Sequence, residues 1–560
     1  MLPPPDIRGT YRTDSRARAA YAEAAGIYRI LPQAVCLPAS HDDLKRLLAW
    51  AGEHRIALVP RGAGSAMAGG NVGEGVMVDL TRLADRRLEI DPASGRAVTG
   101  TGVTFAELNQ AAMPYGLRLP PDPSSGRWAT LGGMVSTNAA GASSLRYGSV
   151  RRWVEGLTLL TADGEAIGLR RGEPAGTHAE SATLTRFEED AGPLIRRSAK
   201  LIRSRFPNTR KNSSGYALDA YLGSGDVLDL LIGAEGTLGI VTEIEWRLDP
   251  IPPCQAALRI DLPSLDHLGE VVAVLDEVTP SALELLDRTF LELLGAEGGG
   301  LDLASEAILL VRLEGASQEA LQGDIARAAA AVRPWATSVQ TAPSLPDAER
   351  LWAIRHAASP ILAGLPEDRR SLQVIEDACV PVARMSDYIR LVRRAAAARD
   401  LQVVLFGHAG DGHIHVNLLP RLAREGWEAD VTSLLSEVTD GVISLGGTPS
   451  GEHGDGRLRA GMLEHLYGAE IVSLFWLVKR AFDPLGILNP GVILPCPEGP
   501  HGGEPPIGRL KVGTTAVPLP ADIARALREI ELSGGYARCR LELAGGEEVE
   551  GRASTLDPRP

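Results

Sequence analysis

"VPRGAGSAMAGG", Val59 to Gly70, is the stretch on which the reading of this chain turns. It follows the short apolar run "IALVP", and Gly62, Gly64, Gly69 and Gly70 leave it with little side chain. Glycine permits positive φ and close backbone approach, so successive N–H groups can converge on a phosphate. A dinucleotide-binding Rossmann turn is the obvious candidate, and two features oppose it. Gly62, Gly64 and Gly69 do not follow G-x-G-x-x-G, and the next residues, "NVGEGVMVDL", form another glycine-rich turn and strand where a long helix is required. A phosphate cradle fits; a tight hairpin is the alternative.

Two more runs of small residues lie downstream. They are "PPDPSSGRWATLGGMVSTNAAGASSLRYGSV", Pro120 to Val150, and "IGAEGTLGIVTEIEW", Ile232 to Trp246. Such runs suit a backbone pressed against something large and flat. Around them, strands alternate with amphipathic helices. "QAVCLPAS" reads as a strand, and Ser40 caps a helix whose Leu44, Leu47, Leu48 and Ala51 share one face. "IALVP" then completes a β-α-β opening. "RAVTGTGV" reads as a strand before a helix that starts with a capping box at Thr104 and Glu107. The prolines of "DPIPPCQ" mark a domain joint near Pro250 to Pro253. Beyond it, strands such as "AALRIDL" and "EAILLVRLEG" alternate with alanine-rich helices to about residue 400.

At 560 residues the chain is too long for one ordinary core. A net charge of −14 opposes a general nucleic-acid binder. No apolar run is long enough for a transmembrane helix, and the N-terminal stretch lacks the apolar centre of a secretory signal. The five cysteines stand far apart with no CxxC pair, which excludes a local iron–sulfur or zinc-ribbon motif and fits a reducing compartment. A cytoplasmic place is expected, with a peripheral one at the inner face of the membrane left open.

The three glycine-rich runs, together with "YAEAAGIYRILPQAVCLP" and "RKNSSGY", resemble the FAD-binding domain of the vanillyl-alcohol oxidase/p-cresol methylhydroxylase (PCMH) superfamily. Within it they look most like the D-lactate dehydrogenase, glycolate oxidase and D-2-hydroxyglutarate dehydrogenase branch, over about residues 15 to 495. The resemblance implies an α+β fold. Residues 1–30 form an N-terminal segment, 31–251 a PCMH-type FAD-binding domain and 252–400 an α+β substrate or cap domain. Residues 401–495 form a segment that contacts metal and flavin, and 496–560 a tail of unassigned role.

The resemblance further implies non-covalent FAD. Arg61, Gly62, Ala63, Gly64 and Ser65, with Gly69, would wrap its pyrophosphate. Gly132, Gly133, Ser136, Asn138 and Gly141 would line the flavin and ribityl region. Gly236, Ile240 and Val241 would complete the pocket, and Asn489 would reach the isoalloxazine. The chain departs from the branch at Ala24 and Gly26, where Asp and Ser are usual, and at Val492, where Lys is usual.

"GHAGDGHIHVNLL", Gly407 to Leu419, places His408 and His415 seven residues apart across a glycine-rich turn. A carboxylate is available in "SGEHGDG", at Glu452. Two histidines and a carboxylate make a catalytic divalent-metal site with Zn²⁺ a natural occupant, and a polar turn is the alternative of equal weight. The resemblance implies that His408, His415 and Glu452 hold the metal and that Asn417 and His453 contact substrate. His413 replaces a more usual Asn and is read as a surface variation, not a ligand. In "LWAIRHAAS", Arg355 matches an arginine that grips the substrate carboxylate, and Ser359, one helical turn on, matches a second contact. Asp377 in "EDACVP" has a counterpart whose role can be structural.

The implied reaction is oxidation of a D-2-hydroxy acid (D-lactate, D-2-hydroxyglutarate or glycolate) to the 2-oxo acid. His453 would be the base, the metal would assist, and hydride would pass to flavin N5. Two alternatives remain: a redox-neutral transferase like the alkyl-dihydroxyacetonephosphate synthases, or a flavin subunit inactive without a partner. Similar branch members continue into a cysteine-rich iron–sulfur domain, and this sequence carries no such cluster motif. The expected acceptor is therefore separate: an iron–sulfur subunit, an electron-transfer flavoprotein, a quinone or a cytochrome. The tail would serve as a docking element for it, and a homo-oligomer is left open.

Overall fold

The computed structural model describes residues 3–83, 86–173, 180–295, 305–496, 507–536 and 538–545. The β-α-β opening forms as its sequence dictates. Ala34–Leu37 is apolar and wholly buried. Ser40 Oγ then accepts from the Asp43 N–H at 3.2 Å, and the helix His41–His54 buries Leu44, Leu47, Leu48 and Ala51. Arg55, in the left-handed region at φ 54°, turns the chain out of that helix into Leu58–Arg61. A four-stranded sheet results, in the order Thr10–Arg12, Ala34–Leu37, Val76–Asp79, Leu58–Arg61, with the last three parallel. The glycine-rich loop of Val59 to Gly70 thus leaves the C-terminal end of a parallel strand.

A second, antiparallel sheet of five strands follows, with Ile240–Arg247 at its centre between Arg96–Gly100 and Val154–Leu160. The expected capping box is present, with Thr104 Oγ1 accepting from the Glu107 N–H and the Glu107 carboxylate from the Thr104 N–H. It starts the helix Phe105–Ala112.

The third sheet has six antiparallel strands, ordered Ser338–Ala342, Cys254–Leu262, Ala307–Gly315, Ala282–Asp287, Gln402–Gly407, His415–Leu419. A break placed at residue 400 therefore runs through one sheet. The period-two alternation of its strands separates two cores. Leu258, Leu285, Leu309, Leu405 and Val416 face one core with Leu434 and Val392. Leu286, Ile308, Leu310, Val404 and Phe406 face the other with Trp352 and Leu362. This second face receives the helix Leu345–His356, and Trp352 and Arg355 are both buried there.

The chain then returns to its first half. The helices Leu463–Tyr467 and Ala469–Phe482 enter the core of the five-stranded sheet, and Leu488 pairs with Leu58 at the edge of the first. The tail also packs. Helix Ala521–Ser533 and the turn Arg540–Ala544 set Ile523, Leu527 and Leu541 against Ala17, Val35 and Val59. Each such side chain removed from water contributes about 1.5–3 kcal/mol, so this part of the tail is an integral layer. Among the described residues the tail holds the helix and the turn, with Leu510 bridging to Tyr28.

Candidate active site

Between the first two sheets and the six-stranded one lies a cavity of about 760 Å³. All three glycine-rich runs reach it. Arg61, Gly62, Ala63, Gly64, Ser65, Gly132, Gly133, Ser136, Gly236, Ile240 and Val241 line it, as the sequence leads one to expect. Two of the loops touch at positions where only glycine fits. A Cβ on Gly62 would stand 2.2 Å from Thr130 Oγ1, and one on Gly132 would stand 1.7 Å from Thr101 Oγ1. The result is a wall of backbone along a cavity whose volume suits a dinucleotide.

Four residues of the expected flavin set are not among those that line the cavity. A Cβ on Gly69 would strike the Tyr28 ring at 2.5 Å, and one on Gly141 the Asp122 carbonyl at 2.1 Å, so both serve tight packing. Asn138, at φ 50°, accepts from the Arg151 N–H through Oδ1. Asn489 is fully buried and donates from Nδ2 to the Gly70 and Glu235 carbonyls. These residues brace the cradle. Arg61 is also engaged: its guanidinium donates to the carbonyls of Tyr21, Glu23 and Asn71. These bonds shape the loop. Tail residues Lys511, Arg528, Glu531 and Tyr536 close another part of the wall.

Beside the cavity the histidines converge. His408 ends the strand Gln402–Gly407, the turn Ala409–Asp411 reverses the chain through Gly412 at φ 74°, and His415 begins the next strand. The His408 and His415 rings come within 5.2 Å. Glu452 Oε1 lies 3.2 Å from His408 Nε2 and 3.7 Å from His415 Nε2. Their outer nitrogens are anchored, His408 Nδ1 to Glu284 Oε1 at 2.5 Å and His415 Nδ1 to the Glu376 carbonyl at 2.8 Å. A carbonyl only accepts, so His415 carries its proton on Nδ1 and turns a lone pair inward. That is the arrangement of a metal-ligating imidazole with its supporting shell, and the donors fit a divalent cation. Expectation fails at His413. It is wholly buried, not at the surface, and its ring stands 4.6 Å from that of His415. The bridge from Cys379 to residue 413 draws it inward.

Arg355 lines the cavity over the Phe406 ring, 5.0 Å from its centroid. Its Nε donates to Glu284 Oε2 at 2.5 Å, and this is the guanidinium's one hydrogen bond among the described residues. The two terminal nitrogens are left for an anion. The helix carrying Arg355 ends at His356 and a new one, Ala358–Ala363, begins, so Ser359 belongs to a separate helix; its side chain lies outside the described residues. Asn417 is buried, its Oδ1 accepting from Ser371 Oγ, and Ser371 rather than Asn417 lines the cavity.

His453 lines the cavity and stacks on His415 at 5.3 Å. Burial pulls its pKa down, but the charge of Asp377 and the hydrogen bond from Nδ1 to Glu376 at 3.1 Å outweigh it and push it up to about 9. His408 behaves alike: burial opposes, Glu284 prevails, and its pKa also rises to about 9. Burial and the neighbouring imidazoles hold His415 well below the usual range. Asp377 accepts from Ser450 Oγ and from the N–H groups of Glu452 and His453, and so fixes the loop that carries both.

Sequence reasoning missed Glu284 and Lys211. Glu284 stands among Leu283, Leu285 and Leu286 in the strand Ala282–Asp287, and it bridges Arg355 and His408. Its position in an apolar run was the available signal. Lys211, within the quoted "RKNSSGY", is buried with Nζ 2.8 Å from Glu452 Oε2.

A backbone cradle for a dinucleotide, opening onto an anion clamp and a cluster of titratable groups, defines a flavin-dependent oxidoreductase. Residues 251–493 match the C-terminal domain of FAD linked oxidases, and residues 32–170 match their FAD binding domain. The chain is 32% identical to the glycolate oxidase subunit GlcD of Bacillus subtilis, over 84% of this chain and 90% of that protein. It is 31% identical to a D-lactate dehydrogenase of Archaeoglobus fulgidus, over 88% and 97%. Its fold is similar to that of p-cresol methylhydroxylase with substrate bound, with a TM-score of 0.63 at 16% identity over 87% and 94% of the two chains. The chain belongs to the FAD-linked oxidase family.

Proposed function

We propose that this protein oxidises a D-2-hydroxy acid to the 2-oxo acid and passes the two electrons to a separate acceptor. One observation carries the reading: Glu284 holds Arg355 with one oxygen and His408 with the other, each at 2.5 Å. An anion clamp and a metal-type donor set are thereby fixed to each other. A 2-hydroxy acid carries a carboxylate and a hydroxyl on adjacent carbons, and so meets both at once. The relatives named for D-lactate and glycolate support the same class.

FAD, when bound, supplies the two-electron acceptor, and a divalent cation on His408, His415 and Glu452 supplies positive charge that lowers the hydroxyl pKa. Arg355 binds the carboxylate with its terminal nitrogens, a charge-assisted pairing that also orients Cα. His453 removes the hydroxyl proton. Its Nδ1 is held by Glu376 and its Nε2 lies 3.5 Å from Glu452 Oε1, so a neutral ring would present Nε2 to that proton. Asn417 contributes through Ser371, which it positions at the wall.

The electrons leave to an iron–sulfur subunit, an electron-transfer flavoprotein, a quinone or a cytochrome. No helix among the described residues is long and apolar enough to cross a membrane. Anaerobic mixing with D-lactate, L-lactate, glycolate and D-2-hydroxyglutarate, each alone, tests the proposal through the oxidised-flavin absorbance. Bleaching by one of the non-L acids supports it and names the substrate. Flavin-replete protein that bleaches with none of them contradicts it.

A further inference from the structure

His413 is the one member of the histidine cluster without an assigned role, and its hydrogen bonding is unusual. It is wholly buried, and Nε2 lies 3.0 Å from Asp377 Oδ1. Asp377 also accepts from Ser450 Oγ and two backbone N–H groups, so it acts as a carboxylate and accepts a hydrogen bond from the His413 Nε2–H. Nδ1 of His413 is then a bare lone pair. It is buried and has no hydrogen-bond partner, and it stands 3.8 Å from Glu452 Oε2. That separation is too long for a hydrogen bond, so a second proton on the ring would gain no acceptor there. A buried acceptor with no donor bears its full desolvation cost unless something electropositive faces it.

The three imidazoles repeat one design. Each presents one nitrogen to a fixed oxygen: His408 to Glu284, His415 to the Glu376 carbonyl, His413 to Asp377. The other nitrogens of His408 and His415 lie 3.2 and 3.7 Å from Glu452 Oε1, that of His413 lies 3.8 Å from Glu452 Oε2, and one donor atom from each of the four residues lies within 4.8 Å of the rest. Outer anchoring that fixes the tautomer and ring orientation is what a ligating histidine needs, and a histidine placed only for packing has no use for it. Glu452 itself is short of capacity, because Lys211 Nζ occupies Oε2 at 2.8 Å. One carboxylate oxygen, His408 and His415 make three donors; His413 makes four.

We propose that His413 ligates the divalent cation through Nδ1, which makes the site a three-imidazole, one-carboxylate set. This rests on the reading above that His408, His415 and Glu452 hold such a cation. A set this rich in nitrogen selects zinc, cobalt or nickel over magnesium and calcium, whose preferred ligands are oxygens. The asparagine that the branch usually carries at this position lacks an imidazole, so the affinity and the choice of metal are properties of this chain.

X-ray absorption at the zinc edge of the unaltered flavin-loaded protein counts the imidazoles around the metal and needs no variant. Three are expected; two overturn the proposal. In parallel, zinc affinity is measured by competition with a chromophoric chelator for the unaltered protein and for His413→Asn, with bound flavin as the check on folding. The variant is expected to bind zinc about 10-fold or more weakly, in line with the loss of an anchoring contact or ligand. Equal affinity in a flavin-replete variant overturns the proposal, as does magnesium displacing zinc at comparable concentration. If the unaltered protein takes up no metal, the underlying reading fails and this one with it. Metal held by two imidazoles leaves that reading standing and removes only His413.

Discussion

The loop Arg61–Ser65 and the hairpin His408–His415 both leave the C-terminal end of a strand and both reach the same cavity region, yet they are made differently. The first is a wall of backbone. Its glycines let two chain segments touch, and its one long side chain, Arg61, is spent on the carbonyls of Tyr21, Glu23 and Asn71. The second is a cluster of side chains on a hydrogen-bonded turn, and its outer nitrogens are held from elsewhere in the chain. Glu284, Glu376, Asp377 and Lys211, brought from three distant parts of the chain, fix the imidazoles and Glu452. A backbone cradle tolerates change in its surroundings and fails when a Cβ is added. A side-chain cluster fails also when a distant carboxylate is lost.

The sharpest way to break this contrast is Glu452→Gln. The account expects metal to be lost and substrate-driven flavin reduction to fall roughly 10³-fold, since a metal's charge stabilisation amounts to several kcal/mol. Flavin content should be unchanged, which metal analysis and absorbance on one sample would check. Arg355→Lys comes next. It keeps the charge but loses the fork, and kcat/KM is expected to drop by roughly 10- to 100-fold as a charge-assisted contact is lost, with metal and flavin retained. Gly62→Ala inverts the pattern. The added Cβ meets Thr130 Oγ1, overpacking costs about 1–3 kcal/mol, and FAD affinity measured by dialysis falls while zinc binding in the hairpin persists.

A smaller effect concerns pH. His408 and His453 are raised to about 9, above an unfolded value of about 6.5, and Glu235, buried beside Asp455, is raised from 4.5 to about 8. The folded protein therefore binds more protons than the unfolded chain across that range. The stabilisation is fully present below the unfolded values and is lost as pH rises through the folded ones. Chelated protein should show a Tm that declines between about pH 6.5 and 9. Metal-loaded protein should show a shallower decline, because the cation replaces the protons. Calorimetry at matched ionic strength would show both; identical slopes would contradict the cluster's electrostatics.

These differences also explain what was legible in the sequence. The cradle was readable because a backbone wall needs runs of small residues, and "VPRGAGSAMAGG", "LGGMVSTNAAG" and "GAEGTLGIVTE" announce themselves by composition. Ser40 and the Thr104–Glu107 box were readable because caps are local. Which residues brace the cradle was not: Gly69, Gly141 and Asn489 carry the same signature as the lining residues but pack against Tyr28, Asp122 and Gly70. The convergence of His408, His415 and Glu452 was foreshadowed by spacing and resemblance. His413 was misjudged because substitution at a motif position says nothing about burial, which the bridge to Cys379 decides. Glu284 stayed hidden because its partners lie 71 and 124 residues away. The packed tail was invisible because its apolar residues match a surface that exists only after the first sheet has formed.

The most direct test joins the two regions in one experiment. Flavin reduction by the acid that bleaches the protein is followed anaerobically before and after chelation, with bound FAD quantified each time. The account predicts that chelation stops reduction, leaves FAD in place, and is reversed by adding zinc. Reduction at an undiminished rate in metal-free, FAD-replete protein would contradict it.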